Sequence, residues 1–431
     1  MNIFFSGIGG TAIGPLALIA KQAGYTVSGS DAQDSQYIQY LRKQGITNIH
    51  IGQSREAIAA AHNHQPIDWF VHTSALTSSH AELAFCREQN IKTSKRDELL
   101  NEILHDQGLK LIAIAGTHGK TTTTAMTIWL FKQLGLPVSY SVGAKISFGD
   151  MGEFIPDSKY FVYEADEFDR NFLNFEPHIS LICGVSWDHH EIFPTRDEYQ
   201  QAFRDFINQS ATTVLWQDDY AYLGLDDGVS SRLLVQDVSD TTIAEIGLKG
   251  LYNRQDAFLA VQAVHQLTGV AIDELIEHMN HFPGTQRRME RLVPNLYSDY
   301  AHTPEKIRGA MSVALEMAAE QDQQLVVIYE PLTNRRQHYM LEDYGDCFTG
   351  AAKVYWTPSY LAREDPAQAI LTPSELITHL SDPSIAEAAE LNSTLKSAIQ
   401  KHLDDGAMVV GMAGGGGGSL DEWLRQEFTT S

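Results

Sequence analysis

Cysteine is scarce in this chain: Cys86, Cys183 and Cys347 are the only three in 431 residues. They show none of the short spacings of a thiolate metal site or a redox pair, so free thiols in a reducing compartment are expected. Long apolar runs are also missing. No stretch approaches the roughly 20 residues that span a bilayer, and the opening Met1-Asn2-Ile3-Phe4-Phe5-Ser6 lacks the basic segment and apolar core of an export signal. A cytoplasmic location without a membrane partner is expected. Positive charge is in short supply, with 31 Lys and Arg against 55 Asp and Glu, a formal net charge of −24. Such a balance opposes general attraction to nucleic acid, so any anionic substrate must be held by a local pocket. Monomer and homodimer both remain open.

What is present is a globular composition, 43% hydrophobic and 20% charged, with enough length for several packed cores. Short apolar runs alternate with longer helical patterns in three stretches, 1–108, 109–290 and 291–431, as parallel α/β domains do. The first shows strands at Asn2–Phe5, Thr26–Ser28 and Trp69–Thr73 and a helix at Pro15–Ala23. The second shows strands at Leu111–Ala115, Tyr160–Glu164, Ile179–Val185 and Thr213–Trp216, then a helix at Arg254–Leu267. Strands at Leu296–Ser298, Gln324–Tyr329, Lys353–Trp356 and Ala407–Met412 mark the third. The one low-complexity tract, Gly414 to Gly418, reads as a tight strand-to-helix loop rather than a ligand cradle.

Directly behind Leu111-Ile112-Ala113-Ile114-Ala115 stands Gly116-Thr117-His118-Gly119-Lys120-Thr121-Thr122. A buried strand that breaks into glycines, ends in Lys-Thr and opens a helix is a phosphate cradle. Main-chain N–H groups close around the anion, Lys120 supplies a point charge, and the Thr121 hydroxyl suits Mg²⁺. The first glycine of the longest form of the motif would fall on Ile114, inside the strand, so the loop is a shortened one. ATP use follows.

Two more strand ends gather ligand-like groups. Tyr160-Phe161-Val162-Tyr163 leads into Glu164-Ala165-Asp166-Glu167-Phe168-Asp169, placing Glu164 where a phosphate-loop fold keeps its magnesium carboxylate. The run at Ile179 to Val185 leads into Trp187-Asp188-His189-His190-Glu191. At the start of the chain, Gly7-Ile8-Gly9-Gly10-Thr11-Ala12 follows a strand, Gly14 opens a helix, and Asp31 ends the next strand. That spacing fits a dinucleotide fingerprint. It admits an NAD-dependent oxidoreductase, although a second nucleotide loop has no place in a simple dehydrogenase and UDP is the better fit.

Together these motifs resemble the Mur ligase family, ATP-dependent ligases that build the peptide stem of peptidoglycan precursors. The resemblance also rests on Asn253 and Asp256 ahead of a helix, Arg287-Arg288-Met289-Glu290, and Asp299-Tyr300-Ala301-His302-Thr303-Pro304. It implies an α/β chain of three domains: a Rossmann-like UDP-binding domain, a central phosphate-loop ATPase-like domain, and a C-terminal Rossmann-like domain that closes on ATP and the amine donor. By the same resemblance ATP phosphorylates a substrate carboxylate, and an amine then attacks the acyl phosphate to give an amide. Lys120, Glu164 and His189 would be the catalytic residues, with Thr121, Glu164 and His189 holding Mg²⁺. Gly116 to Thr122 would cradle the phosphates, Asn253 would contact adenine, Arg288 the phosphates and Asp299 the ribose. Gly7, Gly9, Gly10, Asp31 and Ser74 would hold a UDP-sugar, and His302 and Arg335 would face the donor.

The opening segments look most like the members that join L-alanine to UDP-N-acetylmuramate. The recycling members, which attach a whole L-alanyl-γ-D-glutamyl-meso-diaminopimelate tripeptide to the same acceptor, open similarly. Glu330-Pro331 with a nearby Asn334 is closer to the recycling members, and Asp299 to Pro304 is closer to those that add a diamino acid. The acceptor is therefore read more firmly than the donor.

Overall fold

The computed structural model describes residues 1–73, 76–189, 192–226, 228–361, 364 and 367–429. Ser74, expected at the UDP-sugar, lies outside them, as do His190 and Glu191. The chain forms two compact units, one of Met1–Ile246 with Asp256–Phe282, the other of Gly247–Gln255 with Pro283–Ser431.

Two sheets make up the first unit. Strands β1 (Asn2–Ser6), β2 (Thr26–Asp31), β3 (Ile49–Ile51), β4 (Trp69–His72) and β5 (Lys92–Lys95) pair in the order β3-β2-β1-β4-β5, every pair parallel. The second sheet contains β6 (Lys110–Ala115), β7 (Val138–Ser141), β8 (Gly152–Glu153), β9 (Tyr160–Glu164), β10 (Ile179–Ile182), β11 (Thr212–Trp216) and β12 (Arg232–Gln236). Its order is β12-β11-β10-β6-β9-β7-β8, antiparallel only at β7–β8. Leu111 to Ala115 form an unbroken buried run because helices cover both faces of the parallel sheet. One apolar core joins Ile3 and Phe5 of the first sheet to Phe161 and Tyr163 of the second.

The second unit holds one sheet: β13 (Glu290–Val293), β14 (Leu296–Asp299), β15 (Leu325–Glu330), β16 (Lys353–Trp356), β17 (Ala386–Ala388) and β18 (Met408–Ala413), in the order β13-β14-β18-β15-β16-β17. Side chains of β15 alternate, Leu325, Val327 and Tyr329 to one core, Val326 and Ile328 to the other. The helices Pro304–Glu320 and Asn334–Met340 pack into the first of those cores, while Ser393–Asp404 and Leu420–Thr429 pack into the second. Neighbouring strands β15 and β18 thus send their following chain to opposite faces.

The three parallel-rich sheets are the α/β architecture read from the alternation of apolar runs. Two local readings change. The strand expected to reach Val185 stops at Ile182, because Gly184 turns at φ +147 and gives its carbonyl to Thr117 N–H rather than to a ladder. The helix expected from Arg254 begins at Leu251, closing its first turn with Arg254 N–H on Gly250 O at 3.1 Å, so Asn253 and Asp256 lie within the helix and not ahead of it. Among the described residues no helix is long and apolar enough to cross a membrane.

Candidate active site

The shortened loop leaves β6 through Gly116 and enters the helix Lys120–Gln133 through Gly119, which sits at φ +76. A Cβ at Gly119 would come within 2.6 Å of the Asp256 carboxylate, so the loop is held tight against the helix that carries Asp256. Thr117 fastens the loop to the chain after β10. Its hydroxyl donates to Ser186 O at 2.7 Å and accepts Ser186 N–H at 2.9 Å, which leaves the Tyr199 hydroxyl, 2.8 Å away, to act as donor. His118 lies over Gly184, where a Cβ would meet its ring at 2.3 Å.

Lys120 Nζ donates to Gly116 O at 2.5 Å and to Glu167 Oε2 at 2.7 Å. Burial by itself would lift the Glu167 carboxyl, but Lys120 and His189 beside it bring it down to about 2. The Thr121 hydroxyl donates to Glu164 Oε1 at 2.9 Å, and Gly143 N–H donates to Glu164 Oε2 at 2.7 Å. Burial still keeps the Glu164 carboxyl above its ordinary value. His189 Nε2 stands 3.5 Å from Glu167 Oε1, an oxygen with no hydrogen bond.

Sequence reasoning brought Lys120, Thr121, Glu164 and His189 to one place and missed Glu167, which faces both Lys120 and His189. The only signal for it was its place in the acidic run after β9, where Glu164 drew the assignment. Asp219 was missed as well. From the helix Gln217–Tyr222 its Oδ1 accepts Val185 N–H at 2.8 Å, fixing the chain that leads to His189. Burial pushes its carboxyl up to about 7.

In the first sheet the glycine turn is closed by Gly7 N–H and Ile8 N–H on Ser30 O, at 2.8 and 3.0 Å. Gly10 N–H returns to Gly7 O at 3.0 Å. Asp31 Oδ2 accepts Gly9 N–H at 2.8 Å, so this acid braces the turn. Beneath it the buried Glu82 accepts Ser6 Oγ at 2.5 Å.

The remaining expected residues belong to the second unit. Asn253 Nδ2 donates to Lys249 O at 2.8 Å. Asp299, buried at the end of β14, accepts Met289 N–H at 2.8 Å and Ala301 N–H at 2.9 Å, while Arg287 and Arg288 lie over the Tyr300 ring. His302 Nδ1 meets Tyr300 O at 2.8 Å, and Arg335 N–H donates to Glu364 at 3.1 Å.

Residues 2–107 match the family described as Mur ligase family, catalytic domain, and residues 114–234 match the Mur ligase middle domain. A UDP-N-acetylmuramate–L-alanine ligase of Caldicellulosiruptor bescii is 30% identical over 84% of this chain and 84% of its own length. The chain belongs to the Mur ligase family. In fold this Mur ligase is similar to a UDP-N-acetylmuramate-alanine ligase from Thermotoga maritima, with a TM-score of 0.77, 23% identity and coverage of 100% of this chain and 98% of that one. It is also similar to a murein peptide ligase from Psychrobacter arcticus, with a TM-score of 0.64, 22% identity and the same coverage. Membership makes the chain an ATP-dependent ligase and removes the nicotinamide reading of Gly7 to Ala12.

Proposed function

We propose that this Mur ligase uses ATP to join L-alanine to the lactyl carboxylate of UDP-N-acetylmuramate. The observation that carries the ligase chemistry is the placing of Lys120 and Thr121 against two acidic side chains, Glu167 and Glu164, at the head of one helix. There the loop N–H groups would receive the triphosphate and Lys120 would offset the charge of the migrating phosphoryl group. Likeness to the L-alanine ligase of C. bescii supports the acceptor and the donor.

The oxygens of Thr121 and Glu164 fit a magnesium ion: they are hard donors 2.9 Å apart, and burial outweighs Gly143 N–H, Lys120 and Thr121 in disfavouring the charge on the carboxylate, which a cation would restore. Among the described residues no three His, Cys, Asp or Glu side chains form a ready-made ion site, so phosphate oxygens and water would complete the shell, as is usual for magnesium. When bound, the ion would supply charge stabilisation to the phosphoryl oxygens. His189 would stand at the edge of that group, beside Glu167.

A phosphate-release assay with ATP, UDP-N-acetylmuramate and one donor at a time tests this reading. Release is expected with L-alanine and not with glycine or L-serine at equal concentration. Release with the tripeptide alone would assign the recycling reaction, which Glu330-Pro331 and Asn334 favour, and release with none of them would reject the reading.

A further inference from the structure

The last rung of the first sheet is polar from edge to edge. Register pairs Ser6 of β1 with Ser30 of β2 and His72 of β4, Ser30 with His50 of β3, and His72 with Lys95 of β5. Strand residues two apart share a face, so Ser6 lies on the side of Phe4, which the helix Ala81–Glu88 covers with Leu83, Phe85 and Cys86. From that helix Glu82 reaches the rung with no surface exposed. Its Oε2 accepts the Ser6 hydroxyl at 2.5 Å, and Ser6 Oγ in turn accepts Gln53 Nε2–H at 2.8 Å. Ser30 Oγ faces the same carboxyl without completing a hydrogen bond, and neither it nor Glu82 Oε1 has a partner among the described residues. A buried carboxylate oxygen and a buried hydroxyl left unpaired are costly. One proton on Oε1 would cure both, because the resulting O–H would donate to Ser30 Oγ.

The two serines are also the supports of the glycine turn. Ser6 immediately precedes Gly7, and Ser30 O receives the N–H groups of Gly7 and Ile8. A diphosphate seated on that turn would bring negative charge to the main chain that both serines carry. Like charges close together in a protein interior favour the neutral form of whichever group can titrate. A sugar-linked diphosphate stays ionised at any pH the protein tolerates, whereas Glu82 can take a proton. The titratable groups facing Glu82 are His80 at the head of its helix, His50 on β3 and Cys86 one turn on, and His72 and Lys95 complete the rung. Burial already sets the Glu82 carboxyl above its ordinary value, against the pull of Ser30, Ser6 and the two facing histidines.

We propose that Glu82 is a positioning residue for the UDP-sugar, holding the glycine turn through Ser6 and Ser30 and taking up a proton when that substrate binds. The inference rests on the reading of Gly7 to Gly10 as the UDP-sugar cradle. A buffer acid gives H⁺ to Glu82 Oε1, Oε1–H donates to Ser30 Oγ, Oε2 keeps the Ser6 hydroxyl, and no other bond is made or broken. Because the complex then holds the proton more tightly than the free enzyme, affinity falls as pH rises through the free-enzyme value of Glu82. It is level once pH exceeds the value in the complex.

Calorimetric titration of the full-length enzyme with UDP-N-acetylmuramate, at pH 7 in Pipes and again in imidazole, counts the protons exchanged, since the two buffers differ in ionisation enthalpy. Neither the diphosphate nor the lactyl carboxylate titrates near that pH. The unchanged enzyme is expected to take up a measurable fraction of a proton and to lose affinity towards pH 8. Glu82→Gln puts an amide in the place of the neutral acid, with N–H for Ser30 Oγ and C=O for the Ser6 hydroxyl. It should exchange no proton, lose the pH dependence and bind the sugar nucleotide at pH 8 about 3-fold or more tighter than the unchanged enzyme, the effect of half a pK unit. Glu82→Ala releases Ser6 and should weaken UDP-N-acetylmuramate binding about 10-fold, the scale of a hydrogen bond to a charged group, with the KM for ATP unaltered. Binding without uptake or pH dependence in the unchanged enzyme would overturn this inference alone. Uptake that persists in Glu82→Gln would do so too, assigning the proton to a histidine, as would Glu82→Gln binding as weakly as Glu82→Ala. An unchanged enzyme that does not bind UDP-N-acetylmuramate would overturn the substrate reading and this inference with it. Should Glu82→Ala not fold, the comparison of the unchanged enzyme with Glu82→Gln decides.

Discussion

Lys120 and Glu167 form a buried ion pair, Nζ to Oε2 at 2.7 Å, with the carboxylate fully enclosed. Burial alone would discharge the lysine, but the acids around it, Glu167 first, hold it protonated well above neutral pH. The pair holds a positive charge at the head of the helix Lys120–Gln133, where the triphosphate is proposed to bind.

Lys120→Ala is therefore expected to act twice. Turnover should fall by about 10²-fold or more, the scale for losing a preorganised charge that stabilises a transition state. Stability should also fall, by about 3–5 kcal/mol, because Glu167 is left as a buried carboxylate without its partner. Glu167→Gln should keep more of the fold and still lower turnover. Phosphate release and thermal melting of both variants check the pattern, and full activity in Lys120→Ala would reject the mechanism.

Asp219 gives the protein a pH signature. Its carboxyl ordinarily titrates at 3.8 and is raised to about 7 in the fold by burial. Between those values the folded chain keeps a proton that the unfolded chain releases, so stability falls as pH rises from about 4 to about 7 and is level above. The upper bound on that loss is about 4 kcal/mol. Asp219→Asn retains an acceptor for Val185 N–H and should flatten the decline, being at least as stable as the unchanged protein at pH 8. Glu330, raised to about 7 by the same cause, would leave part of the slope in place. Denaturant melts between pH 4 and pH 8 read the difference.

Gly184 has room for no side chain. It lies at φ +147, and a Cβ would stand 2.3 Å from the His118 ring. Gly184→Ala is expected to cost about 1–3 kcal/mol from backbone strain and overpacking. Because His118 belongs to the phosphate loop, the KM for ATP should rise while binding of the UDP-sugar stays the same. Nucleotide titration of the variant checks this, and unaltered ATP affinity would detach His118 from the nucleotide.

The phosphate loop was legible because its parts are contiguous: an apolar strand, two glycines, Lys120, Thr121 and a helix. Glu164 was legible for the same reason, as a strand end that turns acidic. Asp219 was not, because its bond to Val185 crosses from one strand end to another and an Asp218-Asp219 pair on a short helix looks like a solvated surface. Glu167 hid in a run of four acids, Glu164, Asp166, Glu167 and Asp169, where sequence offers no way to say which one folds inward. Gly414 to Gly418 were read as a tight loop, and the close packing of Gly414 and Gly415 against His302 and Tyr360 agrees with that. The unpaired oxygen of Glu82 beneath the glycine turn could be seen only once the strands were ordered.

The two sheets of the first unit are tied by Tyr40, whose hydroxyl donates to Asp150. Tyr40 belongs to the helix Gln36–Lys43, which presses Ile38 against Gly9 of the glycine turn and Tyr37 against Gly14. Asp150 belongs to the chain between β7 and β8, whose other end gives Gly143 N–H to Glu164 at 2.7 Å. Two segments joined by the Tyr40–Asp150 hydrogen bond thus link the turn expected to hold the UDP-sugar to the carboxylate expected to hold magnesium. Linkage requires that any effect of the sugar on nucleotide affinity equal the effect of the nucleotide on the sugar, commonly about 5- to 150-fold. Tyr40→Phe removes one hydrogen bond, worth about 1 kcal/mol, and should leave each ligand's affinity alone within a few-fold while moving the coupling factor towards unity. Calorimetric titration of a nonhydrolysable ATP analogue with and without UDP-N-acetylmuramate measures that factor, and an unchanged value in Tyr40→Phe would show that the two sites communicate by another route.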